Sequence, residues 1–221
     1  MSTTFLSPQV LAAQLEDSIR QQVTSIVDGL IAELPNPEQL TPDERRGIIA
    51  RYTAVLEGNF IYWMTATYIA VHSEQARPIL MDNLYEECRD SHPNMMREFA
   101  LAAHAFPTEA DALAVGPELT RVRLFLGKLQ GVQSLLTMAF FEGYIQRFMG
   151  YLAGLAASLG SAEFVYTDVH GVCDIAHTEG LYRAVFLEMA LDPPSEGADL
   201  FEGVELLRAL LHVIVQGPQP N

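Results

Sequence analysis

The sequence contains few basic residues and very few cysteines. Its 221 residues include 13 Lys and Arg against 28 Asp and Glu, which gives a formal net charge of −15. So acidic a chain would repel nucleic acid and anionic membranes, and we expect neither as a partner. Cys88 and Cys173 form neither a metal-type CxxC pair nor a disulfide framework.

The sequence also lacks segments that would carry it into a membrane or out of the cell. Its N-terminus has neither the basic region nor the long apolar run of a signal peptide. The most apolar stretch, residues 124–159, is interrupted by Lys128, Glu142 and Arg147, unlike a membrane span. We therefore expect a soluble, cytoplasmic protein. Its length and its 49% apolar content predict a single domain over residues 1–221.

Helical periodicity is present almost throughout the chain. Apolar residues recur at steps of three and four from Val10 to Leu34. Thr41, followed by Pro42 and then Glu44, predicts the capped start of a second helix that runs to about Ser73. Further helices are expected at 74–89, 93–104, 117–159 (after a connector at 107–116, and with a bend at Gly127, Gly131 or Gly143), 162–189 and 199–215. With no strand alternation, the pattern predicts an all-α bundle of about seven to eight helices.

Two of the predicted helices each contain one isolated carboxylate. Glu57 is the only acidic residue between residues 45 and 73, and Glu142 the only one between residues 119 and 162. Burying an unpaired carboxylate is costly, so each must be protonated, paired with a basic residue or bound to a cation. For either residue alone, an ion pair with an arginine and a metal ion are equally good explanations.

The predicted helix at 162–189 contains a stripe of potential metal ligands. His170, Asp174 and His177 are spaced i, i+4 and i+7, so their side chains share one face of the helix. Two imidazoles and a carboxylate suit iron or another borderline divalent metal. A solvated helix face could produce the same spacing by chance, but three ligand types on one stripe favour the metal.

His92 extends this set of potential ligands. It precedes Pro93 at the break between two short helices, where an ordinary helix start would also explain it. Together with Glu57, Glu142 and the stripe at 170–177, it gives three histidines and three carboxylates on separate segments. Paired iron or manganese ions in helical bundles are bound by inward-facing sets of this kind.

The order of these motifs resembles the heme-oxygenase-like diiron oxidases, whose fold is shared with heme oxygenase and thiaminase II. The family pattern is a Glu in the first core helix, a Glu…His segment, a later Glu, and then His-x3-Asp-x2-His. In this chain it corresponds to Glu57, Glu86 to His92, Glu142, and His170, Asp174 and His177. The run Asn83-Leu-Tyr-Glu-Glu-Cys is also similar to a family signature. The resemblance covers residues 41–189 and implies a heme-oxygenase-like bundle.

The resemblance further implies two Fe ions that use O2 as cosubstrate to oxidise a small molecule. Related enzymes hydroxylate amines and cleave or desaturate amino or fatty acids, often in natural-product biosynthesis, so we expect an amino acid or amine as substrate. An external electron donor and a homodimer are compatible with this function. The implied ligands are Glu57 and His92 for one iron, His170, Asp174 and His177 for the other, and Glu142 bridging or completing the first site. Glu86 is either a further ligand or a hydrogen-bond partner of one.

The residues around these ligands do not identify the substrate. Helix packing or an apolar pocket explains the flanking Phe60, Trp63, Met64, Met138, Phe140, Phe141 and Tyr144. Candidates to orient the histidines are Tyr85, Tyr144 and Tyr166. A substrate carboxylate could bind Arg51, Arg147 or Arg183. Three other functions remain open: a thiaminase-like hydrolase with a cysteine nucleophile, a heme-degrading enzyme with an axial histidine, and a non-catalytic helical partner protein.

Overall fold

A computed structural model describes residues 7–217 of the protein. The N-terminal segment used above to argue against a signal peptide, residues 1–6, lies outside this range. Within it, all regular structure is helical, which confirms the all-α prediction. The helices are α1 Pro8–Ala32, a 3-10 helix Pro37–Gln39, α2 Pro42–Ala70, α3 Arg77–Arg89, α4 His92–Ala102, α5 Glu109–Leu126, α6 Gly131–Ser158, α7 Val165–Leu191 and α8 Glu202–Gln216.

Helix α2 begins at the predicted capping box and is kinked in its middle. The Thr41 hydroxyl accepts a hydrogen bond from the Glu44 backbone N–H, and the Glu44 carboxylate accepts one from the Thr41 backbone N–H at 2.7 Å. The kink lies at Glu57 and Gly58. Gly58 has a φ of 98°, a conformation that strongly favours glycine. The kink turns the two halves of α2 in different directions beside the third and fourth helices.

The predicted connector at 107–116 is wrong, and the helix predicted at 117–159 is two helices, interrupted between two of its predicted bend positions, Gly127 and Gly131. Helix α5 begins at Glu109, because Thr108 caps it and overrides the helix-breaking signal of the following Gly-Pro pair. The chain then leaves the helical conformation between α5 and α6, where Leu129 has a φ of 55°. A side chain at Gly131 would lie 3.0 Å from the Ala70 carbonyl oxygen, so only glycine starts α6 this close to the end of α2.

Helix α6 is the centre of the bundle. It packs most extensively against α7 and also contacts α1, α2, α4 and α8. Its middle turns are buried on nearly every side, which places Glu142 in the interior of the protein. Helices α3 and α4 pack across α2 and the first half of α7. Among the described residues, no helix combines the length and hydropathy that crossing a membrane requires.

Candidate metal centre

The turn between α3 and α4 brings a histidine back beside a glutamate of the preceding helix. Ser91 adopts a left-handed conformation, and α4 begins directly after it at His92. The Nδ1 atom of His92 lies 2.7 Å from Oε1 of Glu87, and Nε2 of His170 lies 3.7 Å from the same oxygen. All three side chains are buried, and their donor atoms lie within 4.8 Å of one another. One metal ion could therefore bind all three.

A backbone hydrogen bond sets the protonation of His170. Its Nδ1 atom lies 2.8 Å from the carbonyl oxygen of Tyr166. Because a carbonyl only accepts hydrogen bonds, Nδ1 carries a proton, which leaves Nε2, on the side of Glu87, as the ring nitrogen that would bind a metal. Histidines that bind metals are oriented in this way by a partner on the opposite ring nitrogen.

A second group of polar side chains lies on the adjoining turns of α6 and α7. Oε1 of Glu142 accepts a hydrogen bond from Nδ2 of Asn83 at 2.8 Å. Nδ1 of His177 lies 3.7 Å from Oε1 of Glu142 and 3.8 Å from Oδ1 of Asp174. On its other side, Nε2 of His177 lies 2.9 Å from Oε2 of Glu86. Glu142, Asp174 and His177 thus point towards a common space.

The two groups concentrate buried carboxylates in one place. Burial, followed by repulsion from Glu142, raises the pKa of Asp174 far above its ordinary value. Burial would also raise the pKa of Glu87, but hydrogen bonds with His170 and His92 outweigh it and lower that pKa to about 2. Ionisation of Asp174 beside Glu142 therefore costs free energy in the protein alone. A cation between them would remove that cost.

Glu57 does not lie in either of these two groups of donor side chains. It lies at the kink of α2, where its carboxylate forms an ion pair with the guanidinium of Arg97 on α4. Its side chain is 22% exposed. This is the ion-pair explanation that the sequence left open for an isolated carboxylate. The buried acid beside His92 is Glu87 instead.

Sequence reasoning selected Glu86 and missed its neighbour Glu87. The side chain of Glu86 is 42% exposed and contacts the donor groups only through His177, whereas that of Glu87 is 6% exposed. A signal was available in the helix itself. Leu80, Asn83 and Glu87 follow at steps of three and four residues and form the buried face of α3. Glu86 lies beside that face rather than on it.

The candidate ligands lie within a region that matches a known family. A family model described as an iron-containing redox enzyme matches residues 49–212. The chain belongs to this family. Membership confirms the predicted heme-oxygenase-like superfamily and the predicted fold class. Searches of curated proteins and of solved structures found no match.

The donor groups fit the iron that the family name implies. Among the described residues, Oδ2 of Asp174 and Nδ1 of His177 are buried without a hydrogen-bond partner. Native proteins rarely leave buried polar atoms unsatisfied, and a bound ion would satisfy both. Imidazole nitrogens and carboxylate oxygens are also the donor types that non-heme iron prefers.

Most of the remaining residues named from the sequence either pack in the hydrophobic core or line a cavity. Tyr85 is exposed, so it does not orient a ligand, and Tyr144 packs against Phe148 in the core. Phe60 and Phe141 line a small cavity of about 20 Å³ beside the first donor group. That volume holds little more than one water-sized species. The other flanking aromatic and Met residues are buried in the hydrophobic core.

A third cluster, His72, Glu188 and Asp192, has a structural explanation. The buried carboxylate of Glu188 accepts hydrogen bonds from the backbone N–H groups of His72 at 2.9 Å and Ser73 at 2.8 Å. These amides follow the end of α2 and would otherwise be unsatisfied. Glu188 therefore ties the end of α7 to the α2–α3 connection, and its burial requires no metal.

Proposed function

We propose that this iron-containing redox enzyme is an O2-dependent diiron oxidase that oxidises a small amino acid or amine in natural-product biosynthesis. The observation that supports this proposal most strongly is that the proposed metal ligands lie together. Five of the six proposed ligands line the same small cavity. Glu87, His92 and His170 would hold one iron, and Glu142, Asp174 and His177 would hold the other.

Neighbouring groups hold these ligands in place. The Tyr166 carbonyl fixes the ring of His170, and the Asn83 amide fixes one oxygen of Glu142. Because both partners are themselves buried, each hydrogen bond favours one orientation of its ligand in the folded protein. Such preorganisation favours binding of two ions in a defined arrangement.

The ligand chemistry and the surroundings suit oxidation by O2. Two ferrous ions bound there would supply the electrons that activate O2 for attack on the substrate. The carboxylates would stabilise ferric iron, while imidazoles, which bind a metal as neutral ligands, would limit the total charge. Phe60, Phe141 and Ile145 form the apolar side of the small cavity and keep bulk water away. An external donor would restore the reduced state between turnovers.

The decisive experiment compares two glutamates of the same chain. Protein would be loaded with Fe(II) without oxygen, its iron counted, and its absorbance followed after mixing with O2. We expect two irons per chain and a transient visible band in the wild type. Glu87→Gln should lose iron, whereas Glu57→Gln, which removes only the charge facing Arg97, should retain it. Absence of iron from the wild type would refute the proposal, and the reverse result for the two variants would return the ligand role to Glu57.

Specific observations oppose the two other enzymatic functions. A thiaminase-like hydrolase needs a reactive thiolate, but burial and the neighbouring Asp174 raise the pKa of the Cys173 thiol, and Cys88 is exposed on α3 away from the donor groups. A heme-degrading enzyme needs room for a porphyrin beside its histidine. The cavity beside His92 and His170 is only about 20 Å³. Absence of a heme spectrum after addition of hemin would agree with this geometry.

A further inference from the structure

A second, much larger cavity reaches the metal centre from the side of α1. It has a volume of about 820 Å³ and lies between α1, α3 and α7. Three of its lining residues, Asn83, Glu86 and His177, belong to the metal centre or contact it. Cavities of this size accommodate small organic molecules. It therefore offers the space for a substrate that the small cavity lacks.

Two arginines line this cavity, and they differ in their partners. Arg20 donates hydrogen bonds to both carboxylate oxygens of Glu179, at 3.1 and 3.0 Å, and lies 4.3 Å above the ring of Tyr182. Its position is therefore fixed by the protein. Arg183 lines the same cavity, is exposed, and has no hydrogen bond or ion pair with any other described residue. Its guanidinium is available to a ligand.

Arg183 and His177 both line this cavity along α7. The two residues are six positions apart, so their backbones are separated by about 9 Å along the helix axis. Gly180 lies between them and also lines the cavity. A Cβ atom there would be 3.0 Å from Cγ2 of Ile79, so glycine lets α3 and α7 pack closely at the wall of the cavity. A molecule with a chain of several carbon atoms would span the distance between Arg183 and His177.

The other arginines suggested by the sequence are committed to structural contacts. Arg51 donates hydrogen bonds to the backbone carbonyls of Ile214 at 2.8 Å and Val215 at 3.4 Å, which ties α2 to α8. Arg147 forms an ion pair with Asp28 between α6 and α1. Among the three candidates, Arg183 alone lines a cavity that reaches the donor groups.

We infer that Arg183 binds the carboxylate of the substrate, which is therefore a carboxylic acid rather than a simple amine. A guanidinium matches a carboxylate with two parallel hydrogen bonds. Glu16 and Asp82 also line the cavity and form no ion pair with a described residue, so they would complement the ammonium group of an amino acid. This inference rests on the proposed function, because it assumes that the metal centre acts on a molecule in this cavity.

Calorimetric titration with matched pairs of ligands tests the inference. The probes are norleucine and pentylamine, lysine and cadaverine, and tyrosine and tyramine, each pair differing by the carboxylate alone. They would be titrated into oxygen-free iron-loaded protein and into metal-free protein. At least one acid should bind more tightly than its amine. Arg183→Gln should weaken that acid about tenfold or more and leave the amine unchanged. Arg121→Gln, which alters an exposed arginine of α5, should change neither.

The outcomes separate the inference from the proposed function. If no acid binds more tightly than its amine, or if Arg183→Gln leaves the affinity for the acid unchanged, Arg183 is not the anchor. Iron content, measured on the same samples, reports independently on the metal centre. A protein that binds acids through Arg183 but takes up no iron would retain the anchor and refute the diiron proposal.

Discussion

The hydrogen bond between Asn83 and Glu142 provides a direct test of how the metal centre is preorganised. Both side chains are buried, and the amide nitrogen lies 2.8 Å from the carboxylate oxygen. Asn83→Leu replaces the amide with an apolar group of similar shape and removes the only described hydrogen-bond donor to that oxygen. Glu142 would then be free to rotate away from the position in which it faces Asp174 and His177.

The expected loss can be estimated in two ways that agree. A hydrogen bond to a charged group contributes about 1.5–3 kcal/mol. Removal of a group that orients a metal ligand typically lowers metal affinity about 10–100-fold, which corresponds to about 1.4–2.7 kcal/mol. We therefore expect Asn83→Leu to weaken Fe(II) binding by one to two orders of magnitude. Competition with a chelator of known affinity, performed without oxygen, would measure this change.

A second buried asparagine supplies the control. Asn59 on α2 donates to the Val55 carbonyl at 2.6 Å and accepts from Arg123 at 2.8 Å, and it contacts neither donor group. Asn59→Leu should lower the melting temperature without changing iron affinity. If Asn83→Leu bound Fe(II) as tightly as the wild type, the role assigned here to Glu142 would be wrong. Equal losses of affinity in both variants would show a general effect of destabilisation instead.

Two predictions concern the scaffold. A Cβ atom at Gly203 would lie 2.1 Å from Oγ1 of Thr137, so Gly203→Ala should lower the free energy of unfolding, measured in urea, by about 2 kcal/mol or more. A Cβ atom at Gly154 would have nothing within 4 Å, so Gly154→Ala should raise that free energy by about 0.5–1 kcal/mol. Burial alone would raise the pKa of Asp111, but its hydrogen bonds with the α5 cap and with an arginine of α2 outweigh burial and lower that pKa. The ionised carboxylate of Asp111 therefore stabilises the fold at neutral pH. This stabilisation is lost as the pH falls below 3.8, the ordinary pKa of an aspartate, and then through the lowered pKa of Asp111 in the folded protein. Asp111→Asn should make unfolding stability less dependent on pH in that acidic range, and an unchanged pH profile would contradict this.

Features determined by local sequence could be predicted. The Thr41 capping box depends on four consecutive residues, and the structure forms it as expected. The face shared by His170, Asp174 and His177 follows from the helical repeat alone. Glu142 was conspicuous because it interrupts an apolar helix, and the structure buries it. In each case the signal is contained within one helix.

Features that depend on tertiary structure could not be predicted. Glu57 also interrupts an apolar helix, but the kink beside Gly58 and the position of Arg97 on another helix direct it into an ion pair. Glu87 joins His92 only because Ser91 adopts a left-handed conformation that reverses the chain. Neither the kink nor the chain reversal has a periodic signal. The periodicity of α3 favours Glu87 over Glu86 as the buried residue, but only the tertiary structure places Glu87 beside His92.

The first half of α7 should depend on metal for its stability, and hydrogen exchange can test this. Val172 and Ile175 are 72% and 55% exposed, whereas Leu181 and Val185 in the second half are buried. Residues 168–178 therefore bury little apolar surface, and the buried Asp174 among them faces a second carboxylate. A metal ion bound by α3, α4, α6 and α7 would link this segment to the rest of the bundle.

We therefore expect the amides of residues 168–178 to exchange much faster in metal-free protein than in iron-loaded protein. The second half of α7 and helix α8 serve as internal references, because their protection comes from apolar packing that iron does not supply. Equal protection of residues 168–178 in both states would mean that helix packing alone holds the ligands in place. Iron would then bind to a rigid site, and the unsatisfied atoms of Asp174 and His177 would be a cost that the fold tolerates without metal.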